Sequence, residues 1–201
     1  MRIGAIDDAL ALILDWAGQD AALPPSAPCP GLPAALPRVI SVSDALGPGF
    51  SSSDSQNSPL RSVQDQIWRP EDMQPDADGI LPLITENQCV WRLDFASSAP
   101  EQVLVKGDWL YGDDNLHPDR WCPLSMTCED ALILTVLVNG FFGLGTRFET
   151  REEPDFEIRP ADCPVLLWTH PALAPGWTGF WTHDASHRLH FGGFGQTLIR
   201  A

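Results

Sequence analysis

Residues Ile80 to Phe95 constrain the fold more than any other stretch of this chain. Past the polar group Glu86-Asn87-Gln88, Cys89, Trp91, Leu93 and Phe95 alternate with Val90, Arg92 and Asp94. Successive side chains of a strand point to opposite faces, so this spacing predicts a strand with one apolar and one mixed face. Ile80 to Thr85 forms a second short apolar strand, and the three polar residues between the two make a tight reversal. Asn87 tolerates a left-handed backbone, and Glu86 is placed to accept hydrogen bonds from turn amides, which would fix the register. By itself this is a core hairpin and carries no function.

The flanking sequence supplies further elements. Ile3, Ile6, Leu10, Ile13 and Leu14 recur at helical spacing, with Asp7 and Asp8 in the first turns, where the helix dipole favours negative charge. Gly18 marks the end of this helix. From Leu23 to Pro37 the chain carries Pro24, Pro25, Pro28, Pro30, Pro33 and Pro37, which exclude helix and interior strand and predict a strap across the surface. Gly47 to Ser62, rich in Gly, Ser, Asp and Asn, reads as a loop.

Thr127 and Asp130 have capping-box spacing just before the run Ala131 to Val138. The run is β-branched enough for a strand, but the cap, together with the place of a helix in a family that the chain resembles, favours a buried helix ending near Gly143. Val165 to Thr169, Gly179 to His183, Arg188 to Phe191 and Thr197 to Ile199 are separated by Pro, Gly and Asp-Ala-Ser turns, as in an antiparallel meander. The expected fold is α+β, with a central, mostly antiparallel sheet, helices packed on one side and a C-terminal β-meander. Its expected parts are an N-terminal helix (1–22), a Pro-rich strap and flexible loop (23–62), and a single α+β domain (63–201).

The charge balance narrows the partners. Acidic residues number 27 against 12 basic ones, a formal charge of -15, and Lys106 is the only lysine. Such a field repels phosphate and anionic lipid, which argues against direct nucleic-acid or membrane binding and would steer a basic partner inward. Eight tryptophans against one tyrosine point to a core or groove built on indoles. Cys29, Cys89, Cys122, Cys128 and Cys163 are odd in number and lack Cys-x-x-Cys spacing, so a reducing cytoplasm is expected. Asp7 and Asp8 interrupt any signal-peptide pattern, and Ala131 to Val138 falls far short of the roughly 20 residues that span a bilayer.

No constellation here requires an enzyme. His183, His187 and His190 lie close in sequence, with His170 and Asp184 as further candidates. His187 and His190 are three apart on a strand, however, and face opposite sides, so no metal site is expected. Asp113, Asn115, His117 and Asp119 imitate the ligands of a calcium loop, but Pro118 and Leu124 replace the Gly and Glu that the loop needs. Phe141 to Gly145 and Gly192 to Gly195 lack the strand–turn–helix context of a nucleotide loop. Neither a Gly-x-Ser-x-Gly elbow nor an activated serine stands out, and the carboxylate pairs read as solvated charge. No cofactor is expected.

One resemblance gives the hairpin a functional meaning. Asp78-Gly79, an apolar strand, Glu86-Asn87-Gln88 and the aromatic strand bearing Trp91 resemble the centre of the SUKH superfamily. Ile67-Trp68-Arg69-Pro70-Glu71-Asp72-Met73 is similar to the segment that precedes the sheet in that family. Downstream, Gln102 to Lys106, the region of Trp109 and Trp121, and the helix from Ala131 to Phe142 continue the likeness. Cys89 stands where a glycine is usual. The likeness covers about half of the chain.

Bacterial members of that superfamily are mostly immunity proteins, and the resemblance implies a non-catalytic cytoplasmic protein that occludes a cognate toxin, commonly a nuclease with a basic cleft. The expected contact surface comprises Asp108, Asp113, Asp114 and Asp119, with Trp109 and Tyr111 as aromatic anchors, and Glu149, Glu152, Glu153 and Asp155 beyond the apolar helix. Two other classes stay open: a regulatory or scaffold protein, and a small metal-dependent enzyme using the C-terminal histidines.

Overall fold

The computed structural model describes residues 2–20, 22–47, 60–107, 117–143, 148–151, 165–172, 179–182, 189–193 and 196–200. Two helices open the chain, α1 (Ile6–Trp16) and α2 (Leu36–Leu46). The first sheet follows as β1 (Asp65–Ile67), β2 (Ile80–Glu86), β3 (Trp91–Ala96), β4 (Ala99–Gly107) and β5 (Cys122–Thr127). After α3 (Cys128–Gly143) come β6 (Phe148–Arg151), β7 (Val165–Trp168), β8 (Gly179–Thr182), β9 (Leu189–Gly193) and β10 (Gln196–Arg200). Each sheet is five-stranded, ordered β1-β2-β3-β4-β5 and β6-β10-β9-β8-β7. All the pairings are antiparallel, and β7 to β10 form the expected meander. The fold is α+β.

The hairpin is held from within its turn. The Glu86 carbonyl accepts the Cys89 N–H at 2.9 Å. The Glu86 carboxylate accepts the Gln88 and Val90 amides at 2.8 and 3.1 Å. The register that follows sets Thr85 opposite Arg92 and Ile84 opposite Leu93, with a bulge between Pro82 and Ile84. The left-handed position is Cys89, at φ 59°, rather than Asn87. Cys89 therefore belongs to the exposed turn and not to the apolar face, and β3 begins at Trp91. This is strained backbone for a residue with a Cβ. Further along the ladder, Gly107 lies so close to β3 that a Cβ there would come 2.5 Å from the Val90 carbonyl oxygen.

Helix α3 is the centre of the molecule. Thr127 and Asp130 close the predicted box: the Thr127 hydroxyl oxygen accepts the Asp130 amide at 3.1 Å, and the Asp130 carboxylate accepts the Thr127 amide at 3.1 Å. Thirteen of the sixteen residues of α3 are buried, so it is apolar on every side, as a helix enclosed by other elements must be. It packs against α1, α2, β1, β4 and β5, and reaches β9 of the second sheet. Leu10 and Ile13 of α1, Leu36 and Val39 of α2, and Leu93, Phe95 and Val103 of the sheet have no exposed surface within this shared core.

Among the polar residues buried with it, Asn139 of α3 has the most to bind. Asn139 accepts the Gln64 and Asp65 amides at 3.0 and 2.9 Å, and its Nδ2 donates to the Leu60 and Asp65 carbonyls at 2.8 and 2.7 Å. With its hydrogen-bonding capacity satisfied, a buried amide loses little by desolvation. It ties the entry to β1 directly onto α3.

Helix α2 corrects the reading of 23–62 as strap and loop. Pro37 occupies its first turn, where a missing N–H costs nothing and the fixed φ suits the helix. Arg38 then holds α2 to α1 through Asp7, with nitrogen–oxygen distances of 3.0 and 2.9 Å, and donates to the Pro24 carbonyl at 3.2 Å. Residues 48–59 of the expected loop lie outside the described residues, but Leu60 at its end is fully buried. Cys29, Cys89, Cys122 and Cys128 are free thiols; Cys128 is enclosed at the start of α3, and burial pushes its pKa up to about 12.

Candidate protein-binding surface

The alternation that buries Trp91, Leu93 and Phe95 against the helices turns Arg92 and Asp94 to the other face of the first sheet. Lys106 is the cross-strand partner of Arg92, and Thr85 flanks Arg92 on the other side, so all three share that face. Trp121, just before β5, lies over the pair. Its ring centroid is 5.5 Å from the Arg92 guanidinium carbon and 5.8 Å from Lys106 Nζ. Both cations are within reach of the electron-rich ring face. A second indole, Trp68, donates to the Thr85 hydroxyl at 2.9 Å.

Two carboxylates complete the cluster, in opposite electrostatic states. Asp76 is exposed and accepts the Ile80 and Asp78 amides, each at 2.9 Å. The Ile80 amide above all, then the Asp78 amide, a hydrogen bond from Trp121 and the charge of Arg92 hold it below the usual aspartate range. Asp94 has no exposed surface. It accepts the Leu83 amide at 3.3 Å, at the bulge residue, and pairs with the Arg92 guanidinium. Burial outweighs both partners and raises its pKa from 3.8 to about 7. Arg92 gives one terminal nitrogen to this pair, while its Nε is buried without an acceptor among the described residues.

The contact residues expected from the sequence fall around this cluster only in part. Asp119 is exposed two positions from Trp121, and its amide donates to His117 Nδ1 at 3.1 Å. Asp108, Trp109, Tyr111, Asp113 and Asp114 lie outside the described residues, as do Glu152, Glu153 and Asp155. Glu149 is on β6, in register with Ile199. Of the hairpin residues, Glu86 builds the turn, Asn87 and Gln88 are exposed within it, and Trp91 is buried in the core. The sequence reading passed over Glu71, Asp72, Asp76 and Asp78, exposed carboxylates in the segment before β2. Their crowding within eight residues was the available signal.

Of the candidate metal ligands, His183, His187 and Asp184 lie outside the described residues, and His190 is on β9. His170 stacks on Trp168 with centroids 6.2 Å apart. Its Nδ1 accepts the Ala172 amide at 3.1 Å, and its Nε2 is 3.6 Å from Asp130 Oδ2. It thus joins the end of β7 to the cap of α3. Among the described residues, no three His, Cys, Asp or Glu side chains converge as metal ligands, and no helix is long and apolar enough to cross a membrane. Compared with known proteins, the chain matches no family model, no curated protein and no solved structure.

Proposed function

We propose that this chain is a cytoplasmic, non-catalytic binding module: an immunity protein that neutralises a cognate toxin by covering its active site, as the SUKH-like hairpin implies. The observation that carries this reading is how the charge is distributed. Arg38, Arg69 and Arg92 are each paired with a carboxylate of the same chain. Asp72, Asp78 and Asp119 are exposed, and none of them is in an ion pair among the described residues, although Asp72 lies near enough to Arg69 to act on its charge. Part of the surplus of 27 acids over 12 bases, Asp76 and Asp119, is thus exposed beside Trp121.

A basic nuclease cleft is the complement of such a surface. Opposite fields accelerate encounter, and a body seated in the cleft excludes substrate without any turnover. Asp108, Asp113, Asp114, Trp109 and Tyr111, in the chain leading to Trp121, belong to the same proposed contact, and Glu149, Glu152, Glu153 and Asp155 would widen it.

Co-purification with the product of a neighbouring reading frame, followed by growth rescue, tests the reading. Replacing Asp72, Asp78 and Asp119 together by lysine should weaken binding by about tenfold or more, chiefly through slower association, while leaving the fold intact. A triple variant that binds and protects like the parent protein would sink it.

A further inference from the structure

We infer that the helix-free face of the first sheet carries a carboxylate-binding site, in which Arg92 and Lys106 beside Trp121 take one acidic side chain of the protein partner. The identity of that partner rests on the function proposed above; the anion site rests on geometry alone. Arg92 and Lys106 are directly opposed on β3 and β4, where Cβ atoms are about 5 Å apart and like charges repel. Both also address the same indole, at 5.5 and 5.8 Å. Such a pair calls for an anion between its members.

The acids beside the pair among the described residues are committed elsewhere. Asp94 is engaged by the Leu83 amide and one Arg92 nitrogen. Asp76 is engaged by Ile80, Asp78 and Trp121. Lys106 has no carboxylate within ion-pair distance among the described residues, and the Arg92 side chain, 43% exposed, gives only one terminal nitrogen to Asp94. Two unmet cationic donors on neighbouring strands suit a planar group with two acceptor oxygens. A singly charged carboxylate fits better than a phosphate, whose second charge would meet the acidic rim of Asp76 and Asp119.

The site would act as a discriminator. A basic partner that places an aspartate or glutamate here satisfies both cations. One that lacks it covers Lys106 unpaired and leaves Arg92 with Asp94 alone, and like-for-like basic competitors are rejected by that desolvation.

Sodium acetate titrated into the full chain, against sodium chloride at equal ionic strength, tests the site by ¹⁵N–¹H NMR. The probes are the indole resonance of Trp121, assigned with Trp121→Phe, and the Arg92 Nε–H. Acetate should move both saturably, and Lys106→Gln should weaken the effect by roughly fivefold with the remaining spectrum unchanged. Chloride acting as strongly as acetate, or an unaltered response in Lys106→Gln, would overturn the site. Inorganic phosphate binding more tightly than acetate would overturn its assignment to carboxylates. Because the titration needs no toxin, failure to find a toxin partner would remove the proposed function and leave these resonances where they were.

Discussion

The two faces of the first sheet are built from alternate residues of the same strands, yet they solve opposite problems. On the helix side, Trp91, Leu93, Phe95, Val103 and Val105 are almost wholly enclosed by apolar neighbours. On the other side, Arg92, Asp94 and Lys106 gather charge beneath Trp121, and one of them, Asp94, is as inaccessible as Phe95. Shape complementarity sustains the first face, where each lost methylene is felt. The second persists because its buried carboxyl has a guanidinium, an amide and the option of holding a proton. A single strand can therefore supply both a core and a surface able to respond to its surroundings.

The largest effect that breaks the comparison is Phe95→Ala, which opens a void on the helix face. It should cost about 3–5 kcal/mol in denaturant unfolding, enough to threaten the fold. An intermediate effect sharpens it. The pKa of Asp94 rises from 3.8 to about 7 on folding, so between those values the native state holds the proton better than the unfolded chain. That stabilising contribution is complete below pH 3.8 and is lost as pH rises through about 7. Asp94→Asn should abolish this slope, and its stability relative to the parent protein should climb steadily across the same window. Parallel unfolding curves from pH 4 to pH 8 would show instead that Asp94 titrates as an ordinary aspartate. The smallest effect is at Lys106, where Lys106→Gln should leave the thermal midpoint within the equivalent of about 0.5 kcal/mol. A larger loss would place Lys106 among the structural residues.

Much of the architecture was legible because its signals are local. The Thr127–Asp130 box, the alternation of Trp91, Leu93 and Phe95, and the punctuated strands after Val165 each depend on residues a few positions apart. Helix α2 escaped because Pro37 was taken as a breaker, although in the first turn it is a helix-compatible residue. Cys89 was placed on the apolar face because the alternation was extended two residues too far into a turn that requires a left-handed backbone. Asn139 gave no warning, since an amide within an apolar helix declares its purpose only when Leu60 and Asp65 are seen beside it. The cluster of Asp76, Arg92, Asp94, Lys106 and Trp121 was invisible for the same reason. Its members come from four separate segments, and the burial of Asp94 arises only when those segments close together.

Helix α1 borrows its beginning from the rest of the chain. Its N-cap is Ala5, which has no side-chain acceptor, and the Ile6 amide is met at 2.9 Å by Glu129, 123 positions away on α3. The Ala34 amide, just ahead of α2, is met in the same way by Glu101 of β4 at 2.9 Å. An isolated eleven-residue helix is barely populated in water. The amino-terminal 47 residues, cut free as a peptide, should therefore give the spectrum of a random coil, and in the intact chain these helices must form after, or together with, the parts that receive them.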